Sequence, residues 1–139
     1  MNTHSEHAAP KVLLVEDNPT NMKLTADLLE YDGFQVYRAA DAERARVILQ
    51  GVIPDLILTD IDLPGMDGLT FARICKTTEC LRDVPIVALT AFAMSSDERM
   101  ALASGCDGYI TKPIQTRELV RKLRSFLRPP RTDGQNTDR

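Results

Sequence analysis

Short runs of consecutive apolar residues recur along the chain, and they limit its possible folds more than any other feature. Strong runs lie at 12–15, 56–58 and 86–89, and weaker ones lie at 34–37 and 109–110. Runs that are apolar throughout, without alternating polar residues, are typical of strands covered on both faces. These runs predict the five strands of a parallel sheet.

Segments with helical spacing separate the apolar runs. The first helix is expected after Asn18-Pro19, a pair that favours a helix start, and Gly33 is its expected end. Strand and helix then alternate five times, an order that produces a parallel sheet with helices on both faces. We predict an α/β, flavodoxin-like, doubly wound fold with five strands in the order 2-1-3-4-5 and five helices. The later helices are expected from Asp41, after Gly68, at 96–104, and around Leu119, Leu123, Phe126 and Leu127.

Length and composition exclude several classes of protein. The 139 residues, of which 43% are hydrophobic, fit one domain, and the net charge of -3 argues against nucleic acid as the main ligand. No apolar run approaches the roughly 20 residues of a membrane span, and the polar N-terminus does not resemble a signal peptide, so we expect a cytoplasmic protein. Three cysteines without a C-x-x-C pair indicate neither a disulfide framework nor a zinc site. We expect a folded unit at 11–127 between disordered tails at 1–10 and 128–139.

Polar residues follow four of the five predicted strands. In open α/β sheets ligands bind outside the carboxyl ends of the strands, and the order 2-1-3-4-5 places these four ends side by side. Carboxylates held this close repel unless a cation neutralises them, and Mg²⁺ prefers oxygen ligands with open positions for water. A metal, a lysine and a hydroxyl facing an Asp form a receptor for phosphoryl oxygens, with the Asp as the nucleophile of an acyl phosphate. The polar ends are Glu16-Asp17, Asp60-Ile61-Asp62, Thr90-Ala91 and Lys112-Pro113, whereas the second strand ends in Ala39-Ala40.

The same residues resemble a known family, the CheY-like receiver domain of two-component response regulators. The resemblance covers essentially the whole predicted folded unit. Among receivers, the chain is most similar to the stand-alone DivK-like type, through residues 16–21 and 90–94, although the receivers of hybrid kinases share these features. The segments that carry the family resemblance are Val15-Glu16-Asp17-Asn18, Asp60-Ile61-Asp62-Leu63-Pro64-Gly65-Met66-Asp67-Gly68, Ala88-Leu89-Thr90-Ala91 and Tyr109-Ile110-Thr111-Lys112-Pro113.

The resemblance implies a single-domain response regulator in a phosphorelay, and not an enzyme. Asp60 would accept a phosphoryl group from a phosphohistidine of a sensor histidine kinase or a histidine phosphotransfer protein, with Mg²⁺ as the cofactor. Asp17, Asp60 and the backbone carbonyl of Asp62 would bind Mg²⁺, and Glu16 would act through a coordinated water. The domain would assist its own phosphorylation and dephosphorylation.

The resemblance also implies a switch. Lys112 would pair with Asp60 and then with the phosphoryl oxygens, and a cis bond between Lys112 and Pro113 would aim it into the site. The Thr90 hydroxyl and the Ala91 amide would accept the remaining charge, and Tyr109 would move into the space that Thr90 vacates. This movement would alter the surface formed by the alanine-rich fourth helix, the fifth strand and the final helix, where a downstream protein docks. We expect a monomer or a weak phosphorylation-dependent dimer. The residues that would flank the site and tune access of water are Asp62 and Phe92.

Three other functions compete with the receiver hypothesis. An aspartate-nucleophile phosphatase of the haloacid-dehalogenase type would use Asp60-Ile61-Asp62 as its D-x-D motif, but it needs an acidic metal pair after the lysine. Only Glu118 and two aspartates of the predicted tail follow Lys112. A flavodoxin-like nucleotide-binding module would need glycines or hydroxyls where Glu16-Asp17 stands, because these carboxylates repel phosphate. The third alternative is a pseudo-receiver with a purely structural role.

The two histidines and the basic residues of the final helix are interpreted as solvated side chains. His4 and His7 lie in the polar N-terminal tail, and we interpret them as solvent-exposed residues and not as metal ligands. The predicted folded unit contains no histidine, which excludes a histidine phosphocarrier and a Ser/His/Asp hydrolase. The basic residues near the C-terminus predict a solvated face, with partner docking as the alternative. They are Arg117, Arg121, Lys122, Arg124, Arg128 and Arg131.

Overall fold

A parallel five-stranded sheet forms the centre of the protein, with helices on both faces. The computed structural model describes residues 9–61, 63, 65–90, 99, 102–111 and 116–127. The strand order is β2-β1-β3-β4-β5, which confirms the predicted topology. In chain order the elements are β1 (Lys11–Val15), α1 (Pro19–Tyr31), β2 (Gln35–Ala39), α2 (Ala42–Leu49), β3 (Leu56–Asp60), α3 (Gly68–Lys76), a short 3₁₀ helix (Glu79–Leu81), β4 (Ile86–Thr90), β5 (Gly108–Thr111) and α4 (Thr116–Phe126).

The three central strands are buried on both faces, and the two edge strands are only partly buried. β3 and β4 are buried along their whole length, and β1 is buried from its second residue. Most residues of β2 and all residues of β5 keep some exposure. This difference explains why the runs at 12–15, 56–58 and 86–89 are continuously apolar and the other two are weaker.

Two apolar clusters hold the helices against opposite faces of the sheet. Successive side chains of a strand point to opposite faces. Leu13 of β1 therefore packs in a cluster with residues of α2 and α3, while its neighbour Leu14 packs with residues of α1 and α4. In α4, Leu119 and Leu123 supply the buried contacts, as their helical spacing predicts.

Side-chain caps begin the first three helices. The side chains of Asn18, Asp41 and Asp67 accept hydrogen bonds from the backbone amides three residues later, at 2.9, 2.8 and 2.8 Å. Gly33 follows α1 with a φ of 98°, a left-handed conformation that favours glycine. The predicted starts of α1 and α2 and the predicted end of α1 are confirmed. For α3 the cap is Asp67, so Gly68 is the first helical residue and not the one before the helix.

Some predictions fall on residues outside the described ranges. The predicted helix at 96–104 lies mostly there, although Arg99, Leu102 and Ala103 have helical backbone. The described ranges therefore hold four α-helices where the sequence predicts five. Residues 1–8 and 128–139, which contain most of the predicted tails, also lie outside them. Among the helices that are described, none is both long and apolar enough to cross a membrane.

Candidate functional site

The carboxyl ends of β1, β3 and β4 bring the predicted site residues to one edge of the sheet. β3 lies between β1 and β4. Asp60 ends β3 opposite Leu89 of β4, and Thr90 is the next residue of β4. Glu16 and Asp17 directly follow β1. The sheet order thus places an acidic pair on one side of Asp60 and a hydroxyl on the other.

Three carboxylates form a cluster at this edge. One carboxylate oxygen from each of Glu16, Asp17 and Asp60 lies within 4.8 Å of the other two. Glu16 is 2% exposed and Asp60 is 5% exposed, whereas Asp17 is on the surface. Two of the three carboxylates are therefore buried, and the third is at the surface. The sequence predicts that these three side chains share one site, and the structure brings them together.

Backbone hydrogen bonds fix the positions of the two buried carboxylates. The amide of Glu16 donates to the carbonyl of Ala39 at 3.0 Å, which extends the pairing of β1 and β2 by one residue. The side chain of Glu16 accepts a bond from the amide of Asn18 at 3.1 Å. The amide of Ile61 donates to the carbonyl of Leu89 at 2.9 Å, directly after Asp60. Both residues thus lie at the hydrogen-bonded ends of central strands.

Gly68 allows α3 to begin against the end of β3. A Cβ atom at Gly68 would lie 2.1 Å from the carbonyl oxygen of Asp60 and 2.9 Å from the Cα of Ile61. The amide of Gly68 donates to the carbonyl of Ile61 at 2.9 Å. No other amino acid fits this contact without movement of the backbone that carries Asp60. From the sequence, Gly68 marks the helix start and ends a segment of the family resemblance, but this contact was not predicted, although the glycine after Asp67 was the available signal.

Thr90 and Tyr109 lie on neighbouring strands beside the acidic cluster. Thr90 is 4% exposed and is paired with Thr111 of β5. Tyr109 is opposite Ala88, is half-buried, and packs against the cluster that includes α2 and α3. The two predicted switch residues therefore lie on neighbouring strands, two register positions apart.

Five of the predicted site residues lie outside the described ranges. The positions of Asp62 and its carbonyl, of the Ala91 amide and of Phe92 stay predictions. The same holds for the contacts of Lys112 and for the cis bond to Pro113.

The donor set of the acidic cluster fits a hard divalent cation. All three groups offer carboxylate oxygens, and like charges at this separation repel one another when no cation is bound. Hard cations prefer oxygen donors, and small ones such as Mg²⁺ keep several water ligands. The exposed position of Asp17 leaves room for those waters.

The fold and the acidic cluster together define a class of signalling protein. Residues 12–124 match the family described as response regulator receiver domain. The chain belongs to this family, and the predicted resemblance to CheY-like receivers is confirmed. This membership argues against the phosphatase and nucleotide-binding alternatives, which belong to other families.

Curated relatives include regulators of the DivK type. The chain is 41% identical over 116 residues to "Polar-differentiation response regulator DivK" of Brucella abortus and of Brucella ovis. The match covers 84% of this chain and 94% of each relative. The predicted likeness to DivK is therefore also confirmed.

Solved structures with the same fold include receivers of different origin. The chemotaxis response regulator CheY4 of Vibrio cholerae has a TM-score of 0.82 at 27% identity, over 86% of this chain and 99% of that one. The receiver domain of sensor histidine kinase PA1611 from Pseudomonas aeruginosa has a TM-score of 0.79 at 37% identity, over 86% and 98%. The latter structure is described as having a magnesium ion coordinated in the active site cleft.

Proposed function

We propose that this protein is a response regulator that accepts a phosphoryl group on Asp60 in the presence of Mg²⁺ and passes the signal to a partner protein. The donor is a phosphohistidine of a sensor histidine kinase or a histidine phosphotransfer protein. The observation that carries the proposal is the cluster of three carboxylates around the end of β3, in a chain of the receiver family. The cytoplasmic location predicted from the sequence is part of the same proposal.

In this function Asp60 is the nucleophile. One of its carboxylate oxygens forms a bond to phosphorus while the phosphorus–nitrogen bond of the donor breaks. Mg²⁺ supplies neutralisation of the carboxylates and of the transferred phosphoryl oxygens. Asp17, Asp60 and the carbonyl of Asp62 would hold the ion, and Glu16 would act through a coordinated water. The burial of Asp60 limits the access of water to the acyl phosphate.

Residues at the ends of β4 and β5 complete the site and transmit its state. Lys112, the Thr90 hydroxyl and the Ala91 amide bind the phosphoryl oxygens. When Thr90 moves toward the phosphoryl group, Tyr109 moves into the vacated space. The positions of Thr90 and Tyr109 on neighbouring strands, two register positions apart and on the same face of the sheet, support this coupling. The output is altered docking of a target protein at the surface of β5 and the flanking helices.

Phosphorylation of Asp60 is the decisive test. Incubation with acetyl phosphate and Mg²⁺ should add the mass of one phosphoryl group to the wild-type protein. Asp60→Asn should add none, because an amide is not a nucleophile for this transfer, and a chelator should prevent the addition. Intact mass spectrometry measures each outcome.

Asp67→Asn is the matched control for this test. Asp67 caps α3 and asparagine is an equally good cap, so the control should fold and be phosphorylated like the wild type. Uptake by Asp60→Asn, or uptake in the presence of chelator, would contradict the assigned site. Failure of the wild type with both acetyl phosphate and a phosphorylated histidine phosphotransfer protein would instead identify a pseudo-receiver.

A further inference from the structure

Lys122 of α4 contacts Tyr109 of β5 across the edge of the sheet. The Nζ atom of Lys122 lies 5.5 Å from the centre of the Tyr109 ring. An ammonium within about 6 Å of a ring centre is attracted by the electrons of the ring face. The contact thus joins a charged residue of the final helix to the aromatic residue that the proposed function makes mobile.

The geometry of the edge strand makes this contact possible. α4 packs with its leucines on one face of the sheet, and Tyr109 packs against the cluster on the other face. β5 is the last strand of the sheet, so a long side chain can pass around it. Lys122 is exposed and has the length to do so.

A second contact of α4 fixes the position of Lys122 along β5. Phe126 lies one helical turn after Lys122 and packs against Gly108, where an added Cβ would be 2.2 Å from the Phe126 ring. Gly108 directly precedes Tyr109 in β5. Two residues on one side of α4 therefore contact two consecutive residues of the strand, which sets the register of the helix against the strand.

We propose that Lys122 is a positioning residue for Tyr109, whose ring it holds at the outer edge of β5 and so restrains from moving inward when the site is phosphorylated. This inference rests on the proposed function, because it concerns the switch of that same site. The positive charge of Lys122 sets how much ligand is needed to move Tyr109. Any change that removes the charge, including acylation of the amine, makes the switch easier to operate.

The test measures the position of the switch directly. Tyrosines are labelled with ¹³C in the ring, and the signal of Tyr109 is identified by its loss in Tyr109→Phe. The protein is titrated with beryllofluoride in the presence of Mg²⁺, as a substitute for phosphorylation. Lys122→Met should change the Tyr109 signal before any addition and should lower the beryllofluoride concentration for half conversion by about two- to fivefold.

Two variants separate the ring contact from general charge effects. Arg121→Met removes a charge from the preceding residue of α4, which is also exposed, and should titrate like the wild type. Lys122→Arg keeps a cation that can stack on the ring and should restore the wild-type midpoint. A midpoint for Lys122→Met equal to that of Arg121→Met would overturn this inference while leaving the proposed function intact.

A further outcome bears on the proposed function itself. A wild-type protein whose Tyr109 and Thr90 signals do not respond to beryllofluoride would contradict the proposed function, and the restraint with it. If the Thr90 methyl signal responds to beryllofluoride, the midpoint of its titration measures conversion of the site independently of the Tyr109 signal. In a Tyr109→Leu background, Lys122→Met should no longer shift that midpoint, and a persisting shift would overturn the role of the ring contact.

Discussion

Gly68 has no room for a side chain, because the backbone oxygen of Asp60 occupies the place of its Cβ. Gly68→Ala should lower the free energy of unfolding by about 1–3 kcal/mol, as overpacking of a buried contact does. It should also slow phosphorylation of Asp60, because the displaced backbone carries the nucleophile. Urea unfolding and the rate of mass gain with acetyl phosphate measure the two effects.

Gly51→Ala is the control for this substitution. Nothing lies within 4 Å of a Cβ built at Gly51, and its backbone is not in the left-handed region. Its free energy of unfolding should stay within about 1 kcal/mol of the wild type, with unchanged phosphorylation. If Gly68→Ala and Gly51→Ala had equal effects, the loss of stability could not be assigned to the contact of Gly68 with Asp60.

Asp17 is the exposed member of the acidic cluster and a proposed Mg²⁺ ligand. Without metal, Asp17→Asn should leave the melting temperature equal to or slightly above that of the wild type, because one repelling charge is removed. With Mg²⁺, the wild type should gain stability by binding and the variant should gain less. Thermal melts with chelator and at increasing Mg²⁺ measure this difference, and an equal gain would contradict the assigned ligand. Asp67→Asn should behave like the wild type.

At the scale of the elements, α4 is attached to the turn between α1 and β2 through Arg124. The guanidinium donates to the carbonyl oxygen of Asp32 at 2.7 Å and to its carboxylate at 2.9 and 3.2 Å. It also lies 4.7 Å from the centre of the Phe34 ring. The solvated-face interpretation of the basic helix is therefore incomplete, because Arg124 and Lys122 make specific contacts with other elements.

The Arg124 contact should stabilise the fold modestly. Both partners are about 40% exposed, so solvent weakens the ion pair, and Arg124→Ala should cost about 1 kcal/mol. Arg124→Lys should cost most of the same amount, because lysine keeps the charge but loses the fork and the planar stacking. Lys23→Ala, which breaks an exposed pair within α1, should destabilise the protein less than either Arg124 variant, because solvent screens that pair more strongly. Urea unfolding compares the stabilities of these three variants. If Arg124→Lys were as stable as the wild type, the stabilising role given to the guanidinium fork and its stacking would be contradicted.

Helix and strand boundaries were predicted where residues close in sequence determine them. The caps at Asn18 and Asp41 act through residues only three positions apart, so the sequence shows both partners. The start of α3 was placed one residue late because Asp67 was not recognised as its cap. The 3₁₀ helix at Glu79–Leu81 was missed, since a single short turn has no periodic pattern.

At the scale of the whole molecule, the two buried cysteines report on opening of the core. Burial raises the pKa of Cys75 to about 12 and that of Cys106 to about 11, whereas Cys80 is exposed. Iodoacetamide at pH 8 should therefore modify one thiol of the native protein and all three in urea. In the native state of Cys80→Ser, iodoacetamide should modify no thiol. Rapid native modification of a second thiol would contradict the buried, protonated state.

The same pKa shifts predict how stability depends on pH. The native state keeps both thiols protonated above pH 9.0, the ordinary thiol pKa, while the unfolded chain loses these protons. Their contribution to stability is complete below pH 9 and is lost progressively as the pH rises toward 11 and 12. Urea unfolding of the wild type should show this decrease, and Cys75→Ala should reduce it. An identical pH slope in the two proteins would contradict the assignment to Cys75.

The acidic cluster could be predicted because it depends on strand order and on residues that end strands. Once the order 2-1-3-4-5 is chosen, Glu16, Asp17 and Asp60 must share an edge, whatever their side-chain conformations. The contacts of Gly68 with Asp60 and of Lys122 with Tyr109 were not predicted. Each joins two consecutive elements and depends on how closely those elements approach in the folded protein, which the periodic pattern of either element does not encode.

The central strands are buried, whereas the edge strand β5 is partly exposed. The molecule therefore has one part in which few substitutions are tolerated and another in which side chains can change. The carboxylates lie at the ends of strands that are packed on both faces, where almost any substitution disturbs the chemistry. Tyr109 and Lys122 lie at an open margin, where a change of side chain leaves the sheet intact. A gene duplicate of this protein could therefore acquire a new sensitivity or a new target through substitutions in β5 and α4 alone, while it inherited the phosphoryl chemistry unchanged.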